Sequence, residues 1–215
     1  MFLCKHFVYL HLPKTGGTFL HDVLTAHSPE TWDIQPVPGH GSVRDIPERY
    51  SDLPVIGFIR NPWDYYVSWY TYLMHNTETT PSEMDPQNLF QQASCGGSND
   101  FRTTLLNIMD KDNLRKSDTG ALTAYASWTF GIDSDAELDN NNIKIGQTEN
   151  LREDMIGILE DLAISMPNSL KDSLLHDPPK NAMDRPPYQE FYDEETKSLV
   201  EYKDRFIIQR FGYSF

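Results

Sequence analysis

Residues 13–18 read Pro-Lys-Thr-Gly-Gly-Thr, a set of residue types suited to holding an anion. Two adjacent glycines let the main chain curl until successive N–H groups point at one place. A helix that follows such a turn adds its positive N-terminal end. Lys14 supplies a cation able to reach the bridging oxygen of a leaving phosphate, and Thr15 and Thr18 supply hydroxyl donors around Gly16 and Gly17. An ordinary strand–helix turn can also carry a glycine pair and an exposed lysine. The lysine and two threonines together make the anion site the stronger reading. The order is not that of the Walker loop G-x-x-x-x-G-K-[ST], whose lysine follows its glycines.

A second chemical segment runs Arg60-Asn61-Pro62-Trp63-Asp64-Tyr65-Tyr66-Val67-Ser68. Arg60 ends an apolar run, and Ser68 lies about two helical turns further on. A guanidinium fork and a hydroxyl so spaced can take one phosphate between them. The plainer alternative pairs Arg60 with Asp64 and leaves Ser68 as a small residue at a helix crossing. Metal-dependent phosphoryl transfer on a P-loop needs a carboxylate to hold Mg²⁺. Here an arginine ends the strand instead, which suits a metal-free transfer of a less charged group.

Gly39-His40-Gly41 places a histidine between two glycines that leave its ring accessible, and an imidazole is a suitable general base near neutral pH. Of the other histidines, His11 reads as structural support beside the glycine turn and His75 as the next candidate base. Lys180, Asn181 and Arg185 sit in the proline-rich stretch 178–187, from which Arg185 can add to the second phosphate site, although an exposed loop arginine is the plainer reading. Gln147 and Glu149 follow a strand and can line an acceptor cleft, although for Glu149 a capping or structural pairing role is the stronger reading.

The elements that must position these groups follow from periodicity. Phe7 to Leu12 is β-rich and stops at Pro13, a first buried strand and not a secretion signal. Phe19, Leu20, Val23 and Leu24 recur at helical spacing. Pro54–Ile59 is a second strand; Asn61 then caps a helix with Pro62 at its first position. Residues 76–102 turn to Thr, Ser, Pro, Asn and Gly and read as a polar, lid-like insertion. Ile143–Ile145 is a short strand before a helix through Leu151, Met155, Leu159 and Leu162. Asp193 caps one closing helix that stops at Gly212. Strands alternating with helices predict a three-layer α/β fold with a mostly parallel central sheet flanked by helices.

The totals agree with one domain over residues 1–215. The chain has 215 residues, 39% of them hydrophobic and 23% charged, enough to bury a core. It lacks an apolar run of membrane-spanning length. Cys4 and Cys95 form neither a disulfide framework nor a metal-ligand spacing, which points to a reducing cytoplasmic compartment. The net charge of −14 repels polyanions, so a nucleic-acid partner is disfavoured. An anionic ligand needs its basic contacts concentrated in one place.

In order and separation, HLPKTGGT followed by a strand ending in R-[ND]-P and a later serine resembles the sulfotransferase superfamily. Glu149-Asn150-Leu151 and Phe211-Gly212-Tyr213-Ser214-Phe215 are also similar to members. The resemblance implies a P-loop-like fold that uses 3′-phosphoadenosine-5′-phosphosulfate (PAPS) as donor, releases PAP and needs no metal. It implies that Lys14, Thr15, Gly16, Gly17 and Thr18 hold the 5′ end, and Arg60 and Ser68 the 3′-phosphate. The segment around His40 is similar to the glycan 2-O-sulfotransferase branch, which implies His40 as base and a carbohydrate hydroxyl as acceptor. Two other readings stay open: a nucleotide or small-molecule kinase with a deviant loop, and a non-catalytic nucleotide-binding protein. Acceptor identity and oligomeric state are not legible.

Overall fold

The computed structural model describes residues 1–75, 86–95, 97, 99–110, 118–132, 142–180 and 182–215. In chain order its strands and α-helices are β1 (Phe2–Leu3), β2 (Val8–Tyr9), α1 (Gly17–His27), β3 (Gln35–Pro36), β4 (Val55–Ile59), α2 (Pro62–His75), α3 (Pro86–Ala93), α4 (Phe101–Met109), α5 (Ala121–Phe130), β5 (Ile143–Gln147), α6 (Leu151–Asp161), α7 (Asn168–His176), α8 (Glu194–Lys203) and α9 (Arg205–Phe211). Two compact units share them: Met1–Ile59 with Ala126–Ala182, and Arg60–Tyr125 with Met183–Phe215.

The first unit holds a five-stranded sheet of order β3-β1-β2-β4-β5. β4 pairs in parallel with β2 (Val8↔Val55) and with β5 (Val55↔Ile143 through Ile59↔Gln147). β1 is antiparallel to both β2 and β3, so the predicted parallel character belongs to the β2-β4-β5 half alone. The reason is chain length. Only residues 4–7 join β1 to β2, and a parallel neighbour needs a crossover of a dozen residues or more. The predicted Phe7–Leu12 strand pairs only at Val8 and Tyr9, although Leu10 N–H still donates to the Ile56 carbonyl at 2.9 Å.

Helical spacing puts Leu20 and Leu24 of α1 on one face, where they pack with Leu159 of α6, Leu170 and Leu174 of α7 and Phe58 of β4, all fully buried. Each such leucine contributes about 2 kcal/mol by leaving water. This core anchors α1, and so the turn that precedes it.

In the second unit α2 starts as predicted. Asn61 Oδ1 accepts the Trp63 N–H at 3.0 Å and the Asp64 N–H at 3.4 Å, and its amide donates to the Ser214 carbonyl at 3.0 Å. Trp63, Tyr65, Tyr66 and Trp69 are core residues; Trp69 stacks on Phe90 with ring centres 4.9 Å apart. Composition misreads part of the 76–102 segment. Pro86–Ala93 is helical and Phe101 opens α4, capped by Asp100 through the Thr103 N–H at 2.7 Å. Residues 76–85 of that segment lie outside the described ones.

Asp193 caps α8 through a reciprocal box with Thr196, as predicted. The closing helix is nonetheless two helices, interrupted at Asp204. There a fully buried carboxylate accepts from the Tyr66 hydroxyl at 2.6 Å, the Thr123 N–H at 2.9 Å and the Thr123 hydroxyl at 2.7 Å. Gly212, at φ 67°, ends α9.

Candidate functional site

Lys14 and Gly16 both take left-handed backbone conformations, φ 66° and 79°. For glycine this is free; for lysine it is strained by about 1 kcal/mol or more, and such strain gathers at functional turns. Gly16 is the N-cap of α1, with no side-chain cap and no acidic residue in the first turn. The positive end of an 11-residue helix therefore opens at this turn. Leu151 covers Gly16, where a Cβ would come within 2.5 Å of it. Thr18 is exposed in the first turn of α1.

Thr15 departs from its predicted role. It is fully buried, and its hydroxyl donates to the Leu12 carbonyl at 2.7 Å. It braces the turn, so its hydroxyl proton is not offered to an anion.

The His11 ring lies directly on the turn: a Cβ on Gly17 would sit 2.0 Å from it, so only glycine fits. Burial first, then the neighbouring His40, the amino terminus, His21 and Lys14, lower the His11 pKa to about 3. Its ring is neutral at pH 7. The main-chain oxygen of His11 lies 3.1 Å from Nδ1 of His40. A carbonyl can only accept, so Nδ1 carries a proton, and in the neutral ring the lone pair then falls on Nε2. His40 is held in the tautomer that a base acting through Nε2 requires. Tyr9, His11, Gly17, His21 and His40 line a cleft of about 380 Å³. In its wall the Tyr9 hydroxyl is buried without a hydrogen-bond partner, and burial raises its pKa well above the usual phenol value.

In the second unit, Arg60 contacts both Asp64 and Ser68. Its Nε and Nη2 donate to Asp64 Oδ2 at 2.8 and 2.6 Å, while Nη1 donates to the Ser68 hydroxyl at 3.0 Å. Arg185 Nη2 donates to the other oxygen, Asp64 Oδ1. Two of the three side chains predicted for one phosphate, Arg60 and Arg185, thus meet on a single carboxylate, and the third, Ser68, contacts Arg60. The Arg60, Asp64 and Arg185 side chains are only 16–19% exposed, so the ion pairs are poorly screened.

The remaining candidates have other partners. Lys180 lies 3.6 Å from the Asp22 carboxylate, and Asn181 falls outside the described residues. His75 Nδ1 donates to the Thr71 carbonyl of its own helix at 2.8 Å. The Gln147 N–H donates to Asp154 at 2.6 Å, and Glu149 is exposed in the turn before α6. Sequence reasoning missed Tyr9, which reads only as a strand residue, and the convergence of Arg185 on Asp64. A one-turn spacing pairs Arg60 with Asp64, but nothing local links position 64 to position 185.

Among the described residues, no helix is long and apolar enough to cross a membrane, and no group of three or more His, Cys, Asp or Glu is disposed to hold a metal ion. No family model and no curated protein matches the chain. Among solved structures, that of mouse sulfotransferase SULT7A1 complexed with PAP matches at a TM-score of 0.56 and 12% identity, over 96% of this chain and 87% of that one. The likeness is one of fold: a five-stranded mixed sheet flanked by helices, of the P-loop-like α/β kind.

Proposed function

We propose that this protein is a PAPS-dependent O-sulfotransferase, with a carbohydrate hydroxyl as the first acceptor to test. The acceptor O–H loses its proton to Nε2 of His40 as its oxygen bonds to sulfur. The bond from sulfur to the 5′-phosphate oxygen breaks in line, and Lys14 stabilises the charge left on that oxygen. The main chain of Lys14 to Thr18 and the head of α1 cradle the 5′ end; Arg60, Ser68 and Arg185 take the 3′-phosphate. PAP leaves as the other product.

The observation that carries this reading is the turn itself. A lysine and a glycine in left-handed conformation stand at the head of an uncapped helix that has no acid in its first turn. A paired arginine, not a metal-holding carboxylate, follows the neighbouring strand β4, which favours sulfuryl over phosphoryl transfer.

The test is calorimetry with PAP, followed by transfer of label from radioactive PAPS to pools of glycans, phenols and alcohols, with Lys14→Ala as the blank. PAP binding in the micromolar range and Lys14-dependent labelling support the reading. Magnesium-dependent ATP turnover without PAP binding replaces it with a kinase. PAP binding without transfer to any hydroxyl leaves a nucleotide-binding protein.

A further inference from the structure

Resting on that reading, we propose that Asp64 is a positioning residue for donor recognition, holding Arg60 and Arg185 in the arrangement that distinguishes a nucleotide with a 3′-phosphate from one without.

Three contacts carry this. Asp64 Oδ2 grips Arg60 by the Nε–Nη2 edge, which fixes the guanidinium plane and leaves Nη1 beside the Ser68 hydroxyl, 3.0 Å away. An anion that meets the Nη1 corner therefore meets the serine as well. Asp64 Oδ1 receives Arg185, which comes from a segment outside helix and strand that is stiffened by Pro186 and Pro187. Two guanidiniums brought together in a half-buried place repel each other, and the carboxylate between them removes that repulsion before any ligand arrives.

The backbone under Asp64 is fixed independently of the two arginines. It lies in the first turn of α2, where Asn61 caps the helix and Pro62 presets its start. The arrangement is the familiar one in which an outer carboxylate orients the groups that touch the ligand. The charge count is also suitable. Two arginines and one aspartate leave one net positive charge, which favours a phosphate dianion while keeping the unliganded cluster nearly balanced.

The experiment compares PAP with adenosine 5′-phosphate, which lacks the 3′-phosphate, by calorimetry on the full chain. The wild type is expected to prefer PAP. Asp64→Asn is expected to weaken PAP tenfold or more and leave adenosine 5′-phosphate unchanged, so that the preference collapses, while Asp64→Glu recovers part of it. A preference retained or increased in Asp64→Asn overturns the proposal, the second result showing that the carboxylate competes with the anion. Equal loss of both nucleotides together with early melting also overturns it, since that is the signature of a role in folding. A wild type with no preference for PAP removes the sulfotransferase reading itself, and this inference with it.

Discussion

The imidazole of His40 is tied by Nδ1 to the main-chain oxygen of His11 at 3.1 Å, and the His11 ring in turn rests against Gly17. One short chain of contacts therefore connects the tautomer of the proposed base to the turn proposed to hold the donor, all within the first unit. His40→Ala is expected to lower turnover about 10²–10⁴-fold, the range for loss of a general base, with PAP affinity unchanged by calorimetry. Gly17→Ala drives a methyl into the His11 ring, so it is expected to lower turnover and also stability, by about 1–3 kcal/mol. Normal turnover by His40→Ala on the acceptor identified for the wild type ends the assignment.

The left-handed backbone of Lys14 allows its conformation to be tested separately from its charge. Both Lys14→Ala and Lys14→Gly remove the ammonium and are expected to abolish transfer. At φ 66° alanine is strained and glycine is not, so Lys14→Gly is expected to be about 1 kcal/mol more stable than Lys14→Ala. Thermal melting of the two variants side by side measures this. Equal melting temperatures mean that the turn relaxes to ordinary backbone once the lysine is gone.

Local rules accounted for what is local. Glycine pairs, a capping asparagine before proline and apolar spacing located the turn, the start of α2 and strands β4 and β5 within a residue or two. They failed where a contact joins distant positions. The last helix breaks at Asp204, whose carboxylate meets Tyr66 and Thr123, and no pattern around residue 204 announces either contact. The α3 helix escaped notice because Pro86–Ala93 is short and offers only Leu89, Phe90 and Ala93 to mark a helical period. β1 and β3, two residues each, are too short for any alternation to register. Thr15 illustrates a further limit: residue type identifies a hydroxyl donor, and only the fold determines which acceptor it serves.

Tyr9 separates function from fold by a different route. A phenol hydroxyl buried without a partner is a cost in the folded state, so Tyr9→Phe is expected to leave stability unchanged or raise it by up to about 1–2 kcal/mol. A lower melting temperature means that the hydroxyl serves the fold through an ordered water. Because Tyr9 lines the cleft with His11 and His40, the same variant measured on the identified acceptor shows whether that hydroxyl takes part in binding: KM rises while PAP affinity stays constant.

Asp204 makes a prediction about pH. Burial raises its pKa above the ordinary 3.8, and the hydrogen bonds from Tyr66 and Thr123 oppose the shift without cancelling it. A carboxyl whose folded value lies above its unfolded value binds more protons in the native state, so it contributes most below pH 3.8 and less as pH rises through the folded value. Asp204→Asn removes this titration. The stability of the wild type relative to Asp204→Asn is therefore expected to be greatest in acid and to fall as pH rises from about 4 towards neutrality, read from melting curves across that range. Asp204→Ala leaves the Tyr66 hydroxyl and both Thr123 donors buried without an acceptor, and is expected to cost about 3 kcal/mol or more at every pH. A pH-independent difference between wild type and Asp204→Asn shows that the three donors hold the carboxylate ionised throughout, and that burial does not decide its protonation.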